Sequence, residues 1–192
     1  MSYRPEFTAA LGLIAEAFDM VKAAGYARPV LVGGAAVEFY TASAIVSGDF
    51  DIVSSAPTPL ENALLAVGFV REDRRGRLLR GFYHPVSLIG VEIVSGQLFD
   101  GRADRNRMII VKVDGHKVQL PALEDMIADR LGQYASNPRG RTDMLNQAIA
   151  LYVLAEDIDE AYLDRRLREE TSGDYDLEFL KVKADARSDN HP

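Results

Sequence analysis

A glycine pair followed by an aspartate pair constrains the fold of this chain more than any other feature. An apolar run ends at Gly33 and Gly34, a helix-forming segment follows, and Asp49 and Asp51 come next with one apolar residue between them. Side chains at i and i+2 share one face of a strand, so the two carboxylates project together, about 7 Å apart along the backbone.

Two acids on one face repel each other unless a cation lies between them. A divalent cation that also carries a substrate phosphate meets that need. The glycines allow a backbone to approach a phosphate with no Cβ in the way. The four residues therefore predict chemistry on a nucleotide.

The length and composition are those of a globular protein. The 192 residues suffice for one domain, or for one core with a helical extension, and 47% of them are hydrophobic. Cysteine is absent, which excludes disulfides, thiolate metal sites and cysteine nucleophiles. The chain begins without the apolar segment of a signal peptide and has no run long enough to span a membrane, so we expect a cytoplasmic protein with no membrane partner.

The net charge of −7 is concentrated near the end of the chain. Residues 156–192 contain 12 acidic and six basic residues, whereas the other 155 residues contain 17 acidic and 16 basic ones. The main part of the chain is therefore not barred from polyanionic partners. Two arginine-rich segments would guide an RNA or another acidic acceptor toward the site, with solvated hairpins as the alternative: Arg71, Arg74, Arg75, Arg77 and Arg80, and then Arg102, Arg105 and Arg107.

Hydrophobic periodicity predicts an α/β order of elements. In the first part we expect helices at 6–24, at 34–43 and from Thr58 as N-cap to Gly68, and buried strands at 29–32 and 50–54. Short strands follow at Val70, 78–79, 82–83, 86–94, 108–113 and 118–120, with a hairpin turn at Asp114-Gly115. Helical periodicity returns at 122–135, 142–155, 159–170 and 175–186.

This order predicts an α/β core over residues 1–120, built on a small mixed sheet flanked by helices, with a helical part over residues 121–188 packed on it. It does not fit a doubly wound fold, which needs strict alternation of strands and helices. The glycine pair matches neither the Walker pattern nor the dinucleotide fingerprint.

Glu92 is the third carboxylate of interest, because it lies in the most apolar strand-like run, residues 87–94. An unpaired buried carboxylate is costly, so Glu92 needs a cation, a basic partner or an open face. One interpretation is that it points outward or pairs with an arginine. The other places it beside Asp49 and Asp51 on an adjacent strand, as a third metal ligand or as the base that takes a proton from an attacking hydroxyl.

Together these motifs resemble the nucleotidyltransferase superfamily related to DNA polymerase β. The resemblance rests on a strand ending in Gly-Gly, a helix, an Asp-x-Asp on the next strand and a later carboxylate on a strand, over roughly residues 28–95. The segments 120–131 and 139–143 are similar to the helix pair of abortive-infection toxin-type nucleotidyltransferases. In that branch a basic residue on the first helix and an Arg…Asp element on the second approach the triphosphate.

The resemblance implies a role for each of eight residues. Two glycines would hold the nucleotide phosphates, Gly33 and Gly34. Three carboxylates would be catalytic and would bind Mg²⁺ or Mn²⁺, namely Asp49, Asp51 and Glu92. Three residues of the helical part would contact the nucleotide, namely Arg130, Arg141 and Asp143. Arg130 stands where the family has a lysine. Helical periodicity places Ile127 and Leu131 near one face of this helix and Arg130 toward another, so Arg130 need not be a core residue.

The implied activity is that of an enzyme that transfers NMP from an NTP to a hydroxyl and releases pyrophosphate. The acceptor would be an RNA 3′ end, a protein side chain or a small molecule. The alternative is a catalytically inactive relative that binds a nucleotide or a partner. A further interpretation is one half of a toxin–antitoxin pair, in which the acidic tail docks a basic partner.

Overall fold

The computed structural model describes residues 3–72 and 80–188. The strand predicted at 78–79 lies outside these residues. The chain divides between Pro121 and Ala122 into two compact units. Within the described ranges, no helix combines the length and the hydrophobicity that crossing a membrane requires.

The first unit contains three helices and seven strands in its described part. In chain order they are α1 (Pro5–Ala23), β1 (Val30–Val32), α2 (Gly33–Tyr40), β2 (Asp49–Val53), α3 (Pro57–Ala66), β3 (Val70–Arg71), β4 (Arg80–Tyr83), β5 (Gly90–Ser95), β6 (Ile109–Val113) and β7 (His116–Leu120). Two 3-10 turns, Leu98–Gly101 and Arg105–Arg107, separate β5 from β6.

Five strands form one mixed sheet in the order β1-β2-β5-β4-β3. Strands β2 and β5 are parallel, whereas the other neighbouring pairs are antiparallel. Strands β6 and β7 form a separate hairpin around the predicted turn at Asp114-Gly115. The predicted α/β class with a small mixed sheet is confirmed.

The two faces of β2 have different environments, because successive side chains point to opposite sides of a strand. On one face Phe50 is buried and stacks on Phe7 of α1, with ring centroids 5.3 Å apart. Asp49 and Asp51 alternate with Phe50, so they lie on the other face. The packing of α1 therefore leaves the aspartate face of the sheet uncovered at this end.

The prediction of one strand over residues 86–94 is wrong in its first half, because β5 begins only at Gly90. Residues 85–87 form a turn, after which the Leu88 backbone N–H donates to the His84 carbonyl oxygen at 2.8 Å and Leu88 has a φ of 55°. Val86 and Leu88 are 85% and 79% exposed. Their apolar side chains give the sequence pattern of a strand, but the hydrogen bond from Leu88 to His84 closes the chain into a turn around Pro85.

The start of α3 also differs from the prediction. The helix begins at Pro57 with Ala56 as its N-cap, so Thr58 is a helical residue and not the cap. Proline suits the first helical position because its missing N–H would have no partner there. Pro57 takes that position ahead of Pro59.

The second unit consists of four helices in its described part: α4 (Leu123–Ser136), α5 (Thr142–Leu154), α6 (Glu160–Glu170) and α7 (Leu177–Ser188). Helix α4 packs against both α5 and α6, and α7 packs against the same two helices. Most of the circumference of α4 is therefore covered.

A buried ionic network joins α4 to α6. The fully buried Arg166 donates to Asp125, Glu169 and Glu170, and each donor–acceptor distance is 2.7 Å. The Tyr162 hydroxyl donates to Asp125 at 3.0 Å. Burial lowers the pKa of the Arg166 guanidinium, but the three carboxylates outweigh it and hold the pKa above its ordinary value. Arg166 is therefore charged, and its ion pair with Asp125 links the two helices.

Candidate active site

The turn from β1 into α2 places glycine where no other residue fits. Gly33 is the first residue of α2 and has a φ of 66°, in the left-handed region that favours glycine. A Cβ built on Gly33 would overlap the Asp51 carboxylate and would lie 2.7 Å from its Cγ. The absent side chain therefore lets the start of the helix lie directly against Asp51.

Gly34 makes room for a second polar group. A Cβ at this position would lie 2.7 Å from the Ser47 Oγ. The Ser47 hydroxyl donates to the Asp49 backbone oxygen at 2.8 Å, which ties the loop after α2 to the start of β2. The two glycines thus accommodate the chain that carries both aspartates. Phosphate binding by Gly33 and Gly34 stays a prediction.

Asp51 and Glu92 lie side by side on the two parallel strands. They are register partners of β2 and β5, and each is partly buried. Neighbouring strands are about 4.8 Å apart, so the two side chains leave the same face as close neighbours. Asp49 is exposed, lies two residues before Asp51 on that face and is the register partner of Gly90. The three predicted carboxylates therefore share one face of the sheet.

A cavity of about 500 Å³ opens beside these strands. Three carboxylates line it, Asp49, Glu92 and Glu72, next to the side chains of Tyr83 and Leu88. The Glu72 carboxylate lies against Gly81, where a built Cβ would be 2.9 Å from its Oε2, and Gly81 is the register partner of Glu92. Sequence reasoning missed Glu72, because it stands within an arginine-rich segment.

The carboxylates suit Mg²⁺ by their chemistry, since Mg²⁺ prefers oxygen ligands. Among the residues that the structure describes, no three Asp, Glu, His or Cys side chains converge closely enough to hold a metal by themselves. Mg²⁺ at nucleotide sites is usually held by one or two carboxylates, with phosphates and water as its other ligands. The adjacent pair Asp51 and Glu92 fits a partial site of this kind. The metal role of all three carboxylates, with Asp49 included, stays a prediction.

A buried glutamate anchors the loop that leads into β2. Glu38 of α2 is fully buried and accepts hydrogen bonds from Arg4 Nε at 2.7 Å and Arg4 Nη2 at 2.9 Å. It also accepts from Ser43 Oγ at 2.8 Å and from the Ser47 backbone N–H at 2.6 Å. Burial raises the pKa of Glu38, but the hydrogen bonds from Arg4, Ser47 and Ser43 outweigh it and hold the pKa below its ordinary value.

Of the arginines predicted to guide an acidic acceptor, Arg71 and Arg105 lie in different places in the first unit. Arg71 pairs with Glu61 at 2.9 Å and lies over the Phe82 ring at 5.7 Å. Arg74, Arg75 and Arg77 lie outside the described residues. Arg105 lines a different cavity, near the end of β2, and not the cavity of the carboxylates.

The three predicted nucleotide-binding residues of the second unit have different environments. Arg130 is only 6% exposed, and its Nε donates to Asp129 at 2.9 Å. The expectation that Arg130 lies off the core face is wrong, because α5 and α6 both cover α4. Arg141, the N-cap of α5, is exposed and donates to Gln133 at 3.1 Å. Asp143 is exposed in the first turn of α5. Their contacts with a nucleotide stay predictions.

Similarity to known proteins is found at the level of the fold. No protein-family model matches the sequence, and no curated protein matches it. The structure is similar to that of an antigenic nucleotidyltransferase-like protein from Paracoccidioides brasiliensis, with a TM-score of 0.66 and 14% identity over 97% of this chain and 93% of that one. It is also similar to the antibiotic-resistance factor ANT(2'')-Ia, with a TM-score of 0.51 and 13% identity over 96% of this chain and 98% of that one.

Proposed function

The chain has the nucleotidyltransferase fold, and we propose that it transfers a nucleoside monophosphate from an NTP to a hydroxyl acceptor. One observation carries the proposal. Asp51 and Glu92 are register partners on parallel strands, and the first residue of α2, Gly33, lies against the Asp51 carboxylate. This arrangement brings two carboxylates and the start of a helix together beside the middle of β2.

The reaction is an in-line displacement at the α-phosphorus. The acceptor oxygen forms a bond to that phosphorus, the bond to the bridging oxygen of the β-phosphate breaks, and pyrophosphate leaves. The hydroxyl proton passes to a carboxylate, and we assign this role to Glu92, which lines the cavity at the sheet. Asp51 and Glu92 would hold Mg²⁺ with phosphate and water as its other ligands, and we propose Asp49 as a further ligand. When bound, Mg²⁺ offsets the negative charge on the phosphates.

The cavity favours a small acceptor that carries positive charge. Its volume of about 500 Å³ is that of a small-molecule site. Asp49, Glu72 and Glu92 supply carboxylates to its wall, and a carboxylate attracts a cation. Tyr83 and Leu88 add apolar surface. A small cationic molecule with a free hydroxyl therefore fits better than an RNA end, and one of the structurally similar proteins is an antibiotic-resistance factor.

Transfer from α-labelled nucleotides tests the proposal. The protein is incubated with Mg²⁺, each of the four NTPs labelled at the α-phosphate, and separate pools of small molecules, protein and RNA. We expect label to enter the small-molecule pool together with released pyrophosphate. Label in RNA or protein would support transfer but contradict the acceptor class.

Matched variants separate transfer at this site from contamination. Asp49→Asn with Asp51→Asn should remove transfer, whereas Asp185→Asn, a change at an exposed aspartate of α7, should not. A folded wild-type protein that binds Mg²⁺-NTP but labels none of the pools would contradict the enzyme assignment. It would indicate a nucleotide-binding module instead.

A further inference from the structure

A second cavity of about 500 Å³ lies in the first unit, at the opposite end of the strands from the carboxylates. Val30 at the start of β1, Val53 at the end of β2 and Gly96 just after β5 line it. Val53 comes four residues after Asp49, which is about 13 Å along the strand. The two cavities are therefore separate.

Basic side chains surround this second cavity. Four of its lining residues are basic, Lys22, Arg28, Arg105 and Lys117, and no carboxylate is among the described residues that line it. Arg28 is neutralised, because it pairs with Asp19 at 2.5 Å and also donates to the Lys117 backbone oxygen at 2.8 Å. In the described ranges, the side chains of the other three have no ion-pair partner.

Three unpaired cations around one cavity repel each other, so an anion with more than one charge would be attracted there. Arginine and lysine both bind phosphate, arginine through its planar fork and lysine as a point charge. The positions of Lys22 on α1, Arg105 in a 3-10 turn and Lys117 on β7 place these charges on three separate elements. A ligand with several phosphate oxygens would contact all three.

The rest of the lining is apolar and suits an uncharged body. Val30, Val53 and Leu98 are buried members of one apolar cluster, against which Met108 packs. Ile110 of β6 is 55% exposed at the same cavity. Gln119 and Ser55 provide an amide and a hydroxyl that can bind the edge of a heteroaromatic ring. Inorganic phosphate alone would leave this surface uncovered.

We infer that this cavity is a second ligand site, which binds a phosphorylated small molecule of nucleotide size, with its phosphates on Lys22, Arg105 and Lys117 and its body on the apolar wall. The site is independent of the proposed transfer reaction. Its occupant would be an effector, since no carboxylate of the described residues lies in the cavity to take part in transfer.

Calorimetric titration with ATP in the presence of EDTA tests the inference, because removal of divalent cations disfavours binding at the carboxylate site. We expect one ATP to bind per chain, both in the wild type and in the Asp49→Asn, Asp51→Asn variant. The double substitution Lys22→Ala, Lys117→Ala should weaken binding at least tenfold. The control Lys183→Ala, at an exposed lysine of α7, should change the affinity less than twofold. No binding by the wild type, or equal affinities in the lysine variants, would overturn the inference.

Two further probes test the composition of the site. Tripolyphosphate, which lacks the uncharged body, should bind at least tenfold more weakly than ATP, and adenosine, which lacks the phosphates, should not bind measurably. If tripolyphosphate binds as tightly as ATP, the apolar wall has no role. If adenosine binds as tightly as ATP, the basic residues have none. Either result would overturn the assignment of a nucleotide-sized phosphorylated ligand.

Discussion

Replacement of Glu38 by glutamine should destabilise the protein, because this buried carboxylate accepts four hydrogen bonds. Its Oε1 accepts hydrogen bonds from Arg4 and Ser43, and its Oε2 accepts hydrogen bonds from Arg4 and Ser47. Glutamine keeps one acceptor oxygen and presents an NH₂ group to two donors. The variant therefore loses two hydrogen bonds and leaves a charged guanidinium without its counter-ion.

The expected cost follows from these contacts. Removal of one partner of a buried ion pair lowers the free energy of unfolding by about 3–5 kcal/mol, and a hydrogen bond to a charged group contributes about 1.5–3 kcal/mol. Arg4 is 33% exposed, so water screens part of the loss, and we expect a decrease of about 2–4 kcal/mol in the free energy of unfolding at pH 7. Glu16→Gln, at an exposed glutamate of α1, is the matched control and should change stability by less than about 0.5 kcal/mol.

The cost of the substitution should depend on pH, because the pKa of Glu38 is lower in the folded protein than in the unfolded chain. A lowered pKa contributes stability that is present above the unfolded value of about 4.3 and is lost as the pH falls through the folded value. The difference between wild type and Glu38→Gln should therefore be largest near pH 7 and shrink below about pH 4.3. Urea unfolding at several pH values measures it. A difference that is absent at pH 7, or that grows in acid, would refute this account of the network.

Three other substitutions test the structure. Gly33→Ala should lower the free energy of unfolding, measured by thermal unfolding, by more than about 2 kcal/mol, because alanine is strained at this positive φ and its Cβ clashes with Asp51. A variant as stable as the wild type would contradict the position of that carboxylate. Asp125→Ala should cost about 3–5 kcal/mol in urea unfolding, because Arg166 is fully buried, and a loss below 1 kcal/mol would count against the network. Arg130→Ala should lower the melting temperature, because its guanidinium is held within the second unit. Unchanged affinity for Mg²⁺-NTP in that variant would remove Arg130 from the nucleotide site.

Local patterns were enough to predict much of the fold. The glycine pair does end a strand and begin a helix, and the aspartates do stand on the next strand with Phe50 on the opposite face. These features follow from backbone conformation and side-chain alternation, which act over a few residues. The turn at 85–87 was missed because Val86 and the following Leu88 are apolar although they are exposed.

Features that depend on contacts between distant elements were not predictable in the same way. One interpretation of the sequence places Glu92 on a strand beside Asp49 and Asp51, but the register that pairs it with Asp51 depends on two parallel strands joined by a long connection. Arg166 belongs to a charged segment with i, i+3 and i, i+4 partners, a pattern typical of a solvated helix face. Only the packing of α4 against α6 shows that this arginine is buried.

The most direct test of the proposed function is the rate of NMP transfer by Glu92→Gln, measured beside the affinity for Mg²⁺-NTP. A general base contributes roughly 10²–10⁴-fold to such a step, so the rate should fall by that factor. The affinity for Mg²⁺-NTP should fall less than the rate, because the amide keeps the size of the side chain and one oxygen that can bind the metal, and Asp49 and Asp51 are unaltered. Glu16→Gln should transfer at the wild-type rate. A Glu92→Gln protein that transfers NMP as fast as the wild type would contradict the assignment of the base and of this site.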